Sequence, residues 1–82
     1  MHGTFNGLPI RNISSMKIET DPSGIKRTSF RILDASLPKL EELLHLRAPA
    51  LLILSSSEVE GRIVHYTADV HIGYEITIES NK

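Results

Sequence analysis

Residues 63–78 read IVHYTADVHIGYEITI, and the way this stretch is laid out decides the fold. Val64, Tyr66, Ala68, Val70, Ile72, Tyr74, Ile76 and Ile78 share one parity. Ile63, His65, Thr67, Asp69, His71, Gly73, Glu75, Thr77 and Glu79 share the other. Alternation at period two marks a strand with one buried and one wet face. Drawn out straight, the segment spans about 50 Å at 3.3 Å per residue. A domain of 82 residues has a diameter of only about 30 Å. The chain must therefore turn, bend or reach beyond its own subunit.

Two geometries satisfy this. A three-residue loop, Thr67-Ala68-Asp69, preserves parity and sets His65 opposite His71, Val64 opposite Ile72 and Tyr66 opposite Val70. Alternatively, one long strand bends or bulges at Gly73, since glycine inside a strand often marks such a point. A strand left long has a free edge suited to pairing across a two-fold axis.

Upstream, Met16 to Thr20 alternates, and Asp21-Pro22-Ser23-Gly24 matches a type I turn position by position. Lys26 to Ile32 then alternates again. A loop over residues 21–25 sets Glu19 opposite Arg27, Ile18 opposite Thr28 and Met16 opposite Phe30, joining apolar to apolar and opposite charges together. This predicts a hairpin over about residues 13–33. Before it, Asn6-Gly7 is a strong turn signal, and Pro9 restricts its surroundings to an edge strand or extended arm.

The period changes after residue 34. Asp34 or Ser36 can cap a helix start, and Pro38 fits only a first turn. Leu37, Leu40, Leu43, Leu44 and Leu46 follow at helical spacing. His45 and Arg47 suit the negative pole, and Ala48-Pro49 ends the helix. Eleven residues make a helix too short to stand alone. Leu51-Leu52-Ile53-Leu54 is apolar on both parities, as in a central strand covered on both sides. The order β-β-α-β-β, with a third strand allowed at the end, predicts an α+β fold. It is a small antiparallel sheet of four or five strands with one helix packed on it.

Composition narrows the function. The chain reads as one domain over residues 1–82. A domain this small has a modest core, and with no cysteine it has neither disulfides nor thiolate ligands. Oligomerisation is a common remedy. The hydrophobic share of 40% and charged share of 23% are those of a folded chain rather than a disordered one. A net charge of −1 argues against a protein that coats nucleic acid. No apolar run approaches the length of a membrane span, and the start lacks the order of a signal peptide. The expected setting is the cytoplasm. Residues 1–35 carry five basic side chains against three acidic, and the rest four against seven. Such an imbalance suits head-to-tail contact, but numbers this small fluctuate.

Each candidate site has a plainer reading beside it. His65 and His71 with Asp69 are ligand types for zinc, and only the 67–69 loop brings the histidines together. No metal-site spacing such as HExxH is present. Ser55, Ser56 or Ser57 with His65 and Asp69 makes a triad on paper, without the elbow that exposes a serine nucleophile. No catalytic residue is assigned, no cofactor is expected, and the chain is not expected to be an enzyme. Lys17, Lys26, Arg27 and Arg31 form a basic hairpin able to meet an anion such as a nucleotide or RNA. However, no aromatic platform accompanies them, and the plain reading is a solvated face balanced by Glu19. Tyr66, Tyr74, Ile76 and Ile78 are the candidate oligomer interface, although an apolar parity is first of all core.

These readings converge on a non-enzymatic interaction module. It is expected to be a homodimeric adaptor or inhibitor, a class that phages and mobile elements also carry, presenting a sheet edge or face to a protein partner. The alternative is a small binding protein for an anionic ligand on residues 17–31.

Overall fold

The computed structural model describes residues 3–33, 38–47, 49–69, 71 and 73–81. Its first two strands come from the Asn6-Gly7 signal. β1 (Gly3–Phe5) and β2 (Leu8–Ile10) are joined by Asn6 at φ 52° and Gly7 at φ 83°. Positive φ at both turn residues is the two-residue hairpin geometry that Asn-Gly favours. Pro9 falls on β2, which ends the sheet, where a missing N–H removes no ladder bond.

The second hairpin joins β3 (Ile13–Thr20) to β4 (Ile25–Ile32). The Gly24 N–H donates to the Asp21 carbonyl at 2.9 Å, and the Asp21 N–H to that of Ile25 at 3.0 Å. Ile18 faces Thr28 and Glu19 faces Arg27, the register that parity and charge pairing predict. Met16 and Phe30 do not pair. The register shifts between Ser14 and Lys17, with Ser15 at φ 54°, so a bulge carries Ile13 opposite Ile32 instead.

α1 (Pro38–His45) is shorter than the leucine spacing predicts. Arg47 adopts φ 52° and its N–H turns back to the Leu44 carbonyl at 3.1 Å, ending the helix in a left-handed cap. Leu40 and Leu44 are fully buried, while Leu46 is 67% exposed because it lies past the last helical turn. Leu37, the caps at Asp34 or Ser36, and the Ala48 stop lie outside the described residues.

β5 (Pro49–Leu54), β6 (Glu58–Asp69) and β7 (Gly73–Asn81) complete one seven-stranded antiparallel sheet in the order β2-β1-β5-β6-β7-β4-β3. The expected α+β architecture of four or five strands with a helix laid on them is therefore incorrect. The described chain is mostly strand, with one short helix. The stretch read as an edge strand or extended arm forms β1 and the edge strand β2. β5 is not a strand covered on both sides, because Ala50, Leu52 and Leu54 are buried while Ile53 is 41% exposed.

β6 holds the key to the shape. Residues 58–62 pair with β5, and 62–69 pair with β7, so only Arg62 lies in both ladders. The strand thus passes from one half of the sheet to the other, as corner strands do in orthogonal packings. Gly61 allows the bend, since a Cβ there would strike the Glu79 carbonyl oxygen. The two halves close over a shared interior, and Phe5 on β1 meets Phe30 on β4. Fifteen buried apolar residues fill it, drawn from all seven strands and from the helix through Leu40 and Leu44. The radius of gyration is 11.9 Å.

The opening stretch is a hairpin, but its turn lies between Asp69 and Gly73, later than the predicted loop. Ala68 faces Tyr74, Tyr66 faces Ile76 and His65 faces Thr77. The turn is set by the Asp69 carboxylate, which accepts the His71 N–H at 2.7 Å, and by Gly73 at φ 97°. A register shift between Ile63 and His65 reverses the parity there. Ile63 is buried with 3% exposed, although alternation places it on the wet face. Val70 and Ile72 lie outside the described residues.

Candidate interaction surface

The polar side chains of β3, β4, β7 and β6 form cross-strand rows on the convex side of the sheet. The longest runs Glu19, Arg27, Glu79, Arg62, alternating in sign. Glu79 accepts both guanidinium groups, Arg27 at 3.4 Å on one oxygen and Arg62 at 3.3 Å on the other. Arg27 also reaches Asp21 at 3.3 Å. In the next row Lys17, Ser29, Thr77 and His65 are neighbours, with the Ser29 and Thr77 hydroxyls 3.1 Å apart. Arg31 pairs with Glu75 at 3.1 Å, and Lys17 approaches Glu19 at 3.7 Å.

Pairs exposed on both sides, Arg31–Glu75 and Lys17–Glu19, contribute little energy, about 0.2–1 kcal/mol each. Their consequence is electrostatic. Lys17, Arg27, Arg31 and Arg62 stand among Glu19, Asp21, Glu75 and Glu79, so these four cations are matched by four carboxylates. Lys26 lies on the opposite parity, beside a cleft of about 650 Å³ that Glu58, Glu60 and Ser80 also line. The four basic residues picked from the sequence are thus split between two sides. The carboxylates that balance them, Glu75 and Glu79, are legible as wet-face positions, but only the register shows which cations they meet.

Asp21 holds the hairpin tip. Its carboxylate accepts from the Ser23 hydroxyl at 2.6 Å, the Ser23 N–H at 2.9 Å and the Ile25 N–H at 3.1 Å. These bonds, the Ser23 hydroxyl foremost, and then the Arg27 charge hold its pKa below the usual 3.8.

Asn6 plays a similar bracing part that its turn role alone does not reveal. Its amide donates to the Pro49 carbonyl at 2.8 Å and its oxygen accepts the Leu51 N–H at 2.7 Å. The first hairpin is thereby tied to β5 beyond the three paired residues of β1.

Two further candidate sets come apart. His65 faces Thr77 on β6, whereas His71 sits in the turn, so the cross-strand pairing of the two histidines does not form. Among the described residues no group of three or more metal-ligand side chains assembles. Ser55–57 and Asp69 flank opposite ends of β6, so the paper triad is not assembled. Tyr74, Ile76 and Ile78 are at most 2% exposed and belong to the chain's own core, with Tyr66 packed against it. The curled sheet turns the Tyr74, Ile76 and Ile78 side chains inward.

What remains open is backbone. β3 ends the sheet order, and its outer edge meets no strand among the described residues. Ile18 stands there 56% exposed. Of the other edges, β2 is the shorter and the free side of β6 is occupied in part. β2 has three residues and a proline. The free side of β6 past Arg62 receives the Arg47 guanidinium on the Val64 carbonyl at 3.3 Å. No described helix is long and apolar enough to cross a membrane. In comparisons with known proteins, no family model, curated protein or solved structure matches the chain.

Proposed function

We propose that the chain is a non-enzymatic protein-interaction module that accepts a strand from another polypeptide along β3. The observation that carries this is the free eight-residue edge of β3 with Ile18 exposed on it. An unpaired row of N–H and C=O groups is a template for strand addition. Main-chain hydrogen bonds supply affinity in such contacts, and alternate side chains supply specificity. A small adaptor or inhibitor working in a reducing compartment such as the cytoplasm fits a chain with no cysteine. An anionic ligand on residues 17–31 is the weaker reading, because Arg27 and Arg31 are already engaged by carboxylates.

The test is capture from the native host on immobilised wild-type protein and on Ile18→Lys, each shown to be folded by circular dichroism. A charge on an edge strand discourages pairing. Capture of a specific chain should fall about tenfold or more in the variant. Equal capture by both proteins contradicts the proposal.

A further inference from the structure

We infer that the strand β3 accepts belongs to a second copy of the same chain, paired antiparallel about a two-fold axis through Ile18. This rests on the interaction-module reading and names its partner. Register singles out that axis. β3 reads Ile13-Ser14-Ser15-Met16-Lys17-Ile18-Glu19-Thr20. Centred on Ile18, an antiparallel self-pair sets each Lys17 opposite Glu19 of the other copy, and each Met16 opposite Thr20. The exposed Ile18 side chains meet at the axis. Centring on Lys17 or on Glu19 sets like charges face to face, which destabilises a pair. Half-step registers put the polar face of one copy beside the apolar face of the other.

The same register continues the charge order within the subunit. The row Glu19, Arg27, Glu79, Arg62 alternates in sign from its outermost member, a carboxylate. A second copy adds Lys17 beside that carboxylate, so the alternation crosses the interface unbroken. A two-fold axis doubles each such contact. The bulge between Ser14 and Lys17 bends β3 away beyond Met16 and confines pairing to residues 16–20. The contact is thus small and the dimer weak and concentration-dependent. Both copies contribute their edges, joining two seven-stranded sheets into one.

The experiment is sedimentation equilibrium on the purified 82-residue chain from micromolar to millimolar concentration. The wild type should rise from 9.1 kDa towards twice that mass. Lys17→Glu and Glu19→Lys should each associate about tenfold more weakly, because each sets like charges together at two symmetric points. An equimolar mixture of the two variants should regain wild-type association. In the mixed pair one copy carries glutamate at both positions and the other carries lysine at both, so each contact again joins opposite charges. This rescue separates a register effect from damage to either variant. Lys39→Glu, on the exposed side of α1, should associate as the wild type does. A wild type that stays at 9.1 kDa to millimolar concentration overturns self-pairing, as does a mixture no better than its components. If the monomer still captures a foreign chain that Ile18→Lys loses, self-pairing alone has failed. If capture and association are both indifferent to Ile18→Lys, the module reading fails as well.

Discussion

Phe5 and Phe30 lie with ring centroids 6.2 Å apart and planes tilted by 55°, although four strand spacings separate β1 from β4 in the sheet order. In a flat sheet those spacings amount to about 19 Å. The contact exists because β6 turns a corner at Arg62 and closes the sheet over its own core. Aromatic pairs at this distance couple by about 0.5–1.5 kcal/mol beyond their burial. Phe5→Leu, Phe30→Leu and the double variant, compared by urea denaturation, should show a coupling of at least about 0.5 kcal/mol. Additive losses would mean that the two halves of the sheet do not close this way.

The turn that replaces the expected 67–69 loop depends on Gly73. Its φ is 97°, and an added Cβ would strike the Ile32 carbonyl oxygen. Gly73→Ala should cost at least about 3 kcal/mol, combining a disfavoured backbone with a steric conflict. Gly7 also has positive φ, but a Cβ there meets open space, so Gly7→Ala should cost only about 1–2 kcal/mol. Thermal or urea melts of the two variants check the order. Equal losses would contradict the assigned turn.

Asp21 sets the acid response of the 21–25 tip. Its native pKa lies below 3.8, chiefly through the Ser23 hydroxyl. A carboxyl with a depressed native value contributes fully above its unfolded value and loses that contribution as pH falls through the native one. A carboxyl-carbon NMR titration should give a midpoint under 3.8, and Ser23→Ala should move it upward. A midpoint at or above the ordinary value, or no response to Ser23→Ala, counts against the bonded tip.

How much of the fold is legible in the sequence varies by segment. The Asn6-Gly7 and Asp21–Gly24 turns and the 17–20 register are readable, because turn residues and parity act over a few neighbours. The helix is readable in type, but its end is not, since Arg47 takes a cap conformation usually left to glycine or asparagine. The two bulges, at Ser14–Lys17 and Ile63–His65, leave no clear mark in local composition. They arise where the sheet must coil, and each reverses parity. That is why Ile63 is buried, and why Met16 misses Phe30. The number of strands and the fate of Tyr74, Ile76 and Ile78 depend on closure across the whole chain, which alternation cannot express. The basic residues are visible, but their neutralisation by Glu75 and Glu79 requires β7 beside β4, a pairing between strands far apart in the chain.

The separation of His65 from His71 makes a prediction about zinc. His65 stands four residues from the end of β6, about 13 Å along the strand from the turn that holds His71. In an NMR or calorimetric zinc titration, His65→Ala and His71→Ala should each bind as the wild type does. A loss on the order of 10–100-fold in both variants, the size seen when a built metal site is disturbed, would show that the histidines act together.

Pairing of β3 with a second copy is the central claim, and amide hydrogen exchange resolved along the chain tests it most directly. Exchange within residues 16–20 should slow as the concentration of wild-type protein rises, while the Leu8 and Ile10 amides at the opposite edge exchange at an unchanged rate. In Ile18→Lys the slowing should vanish. Exchange at residues 16–20 that is independent of concentration in the wild type would contradict the claim.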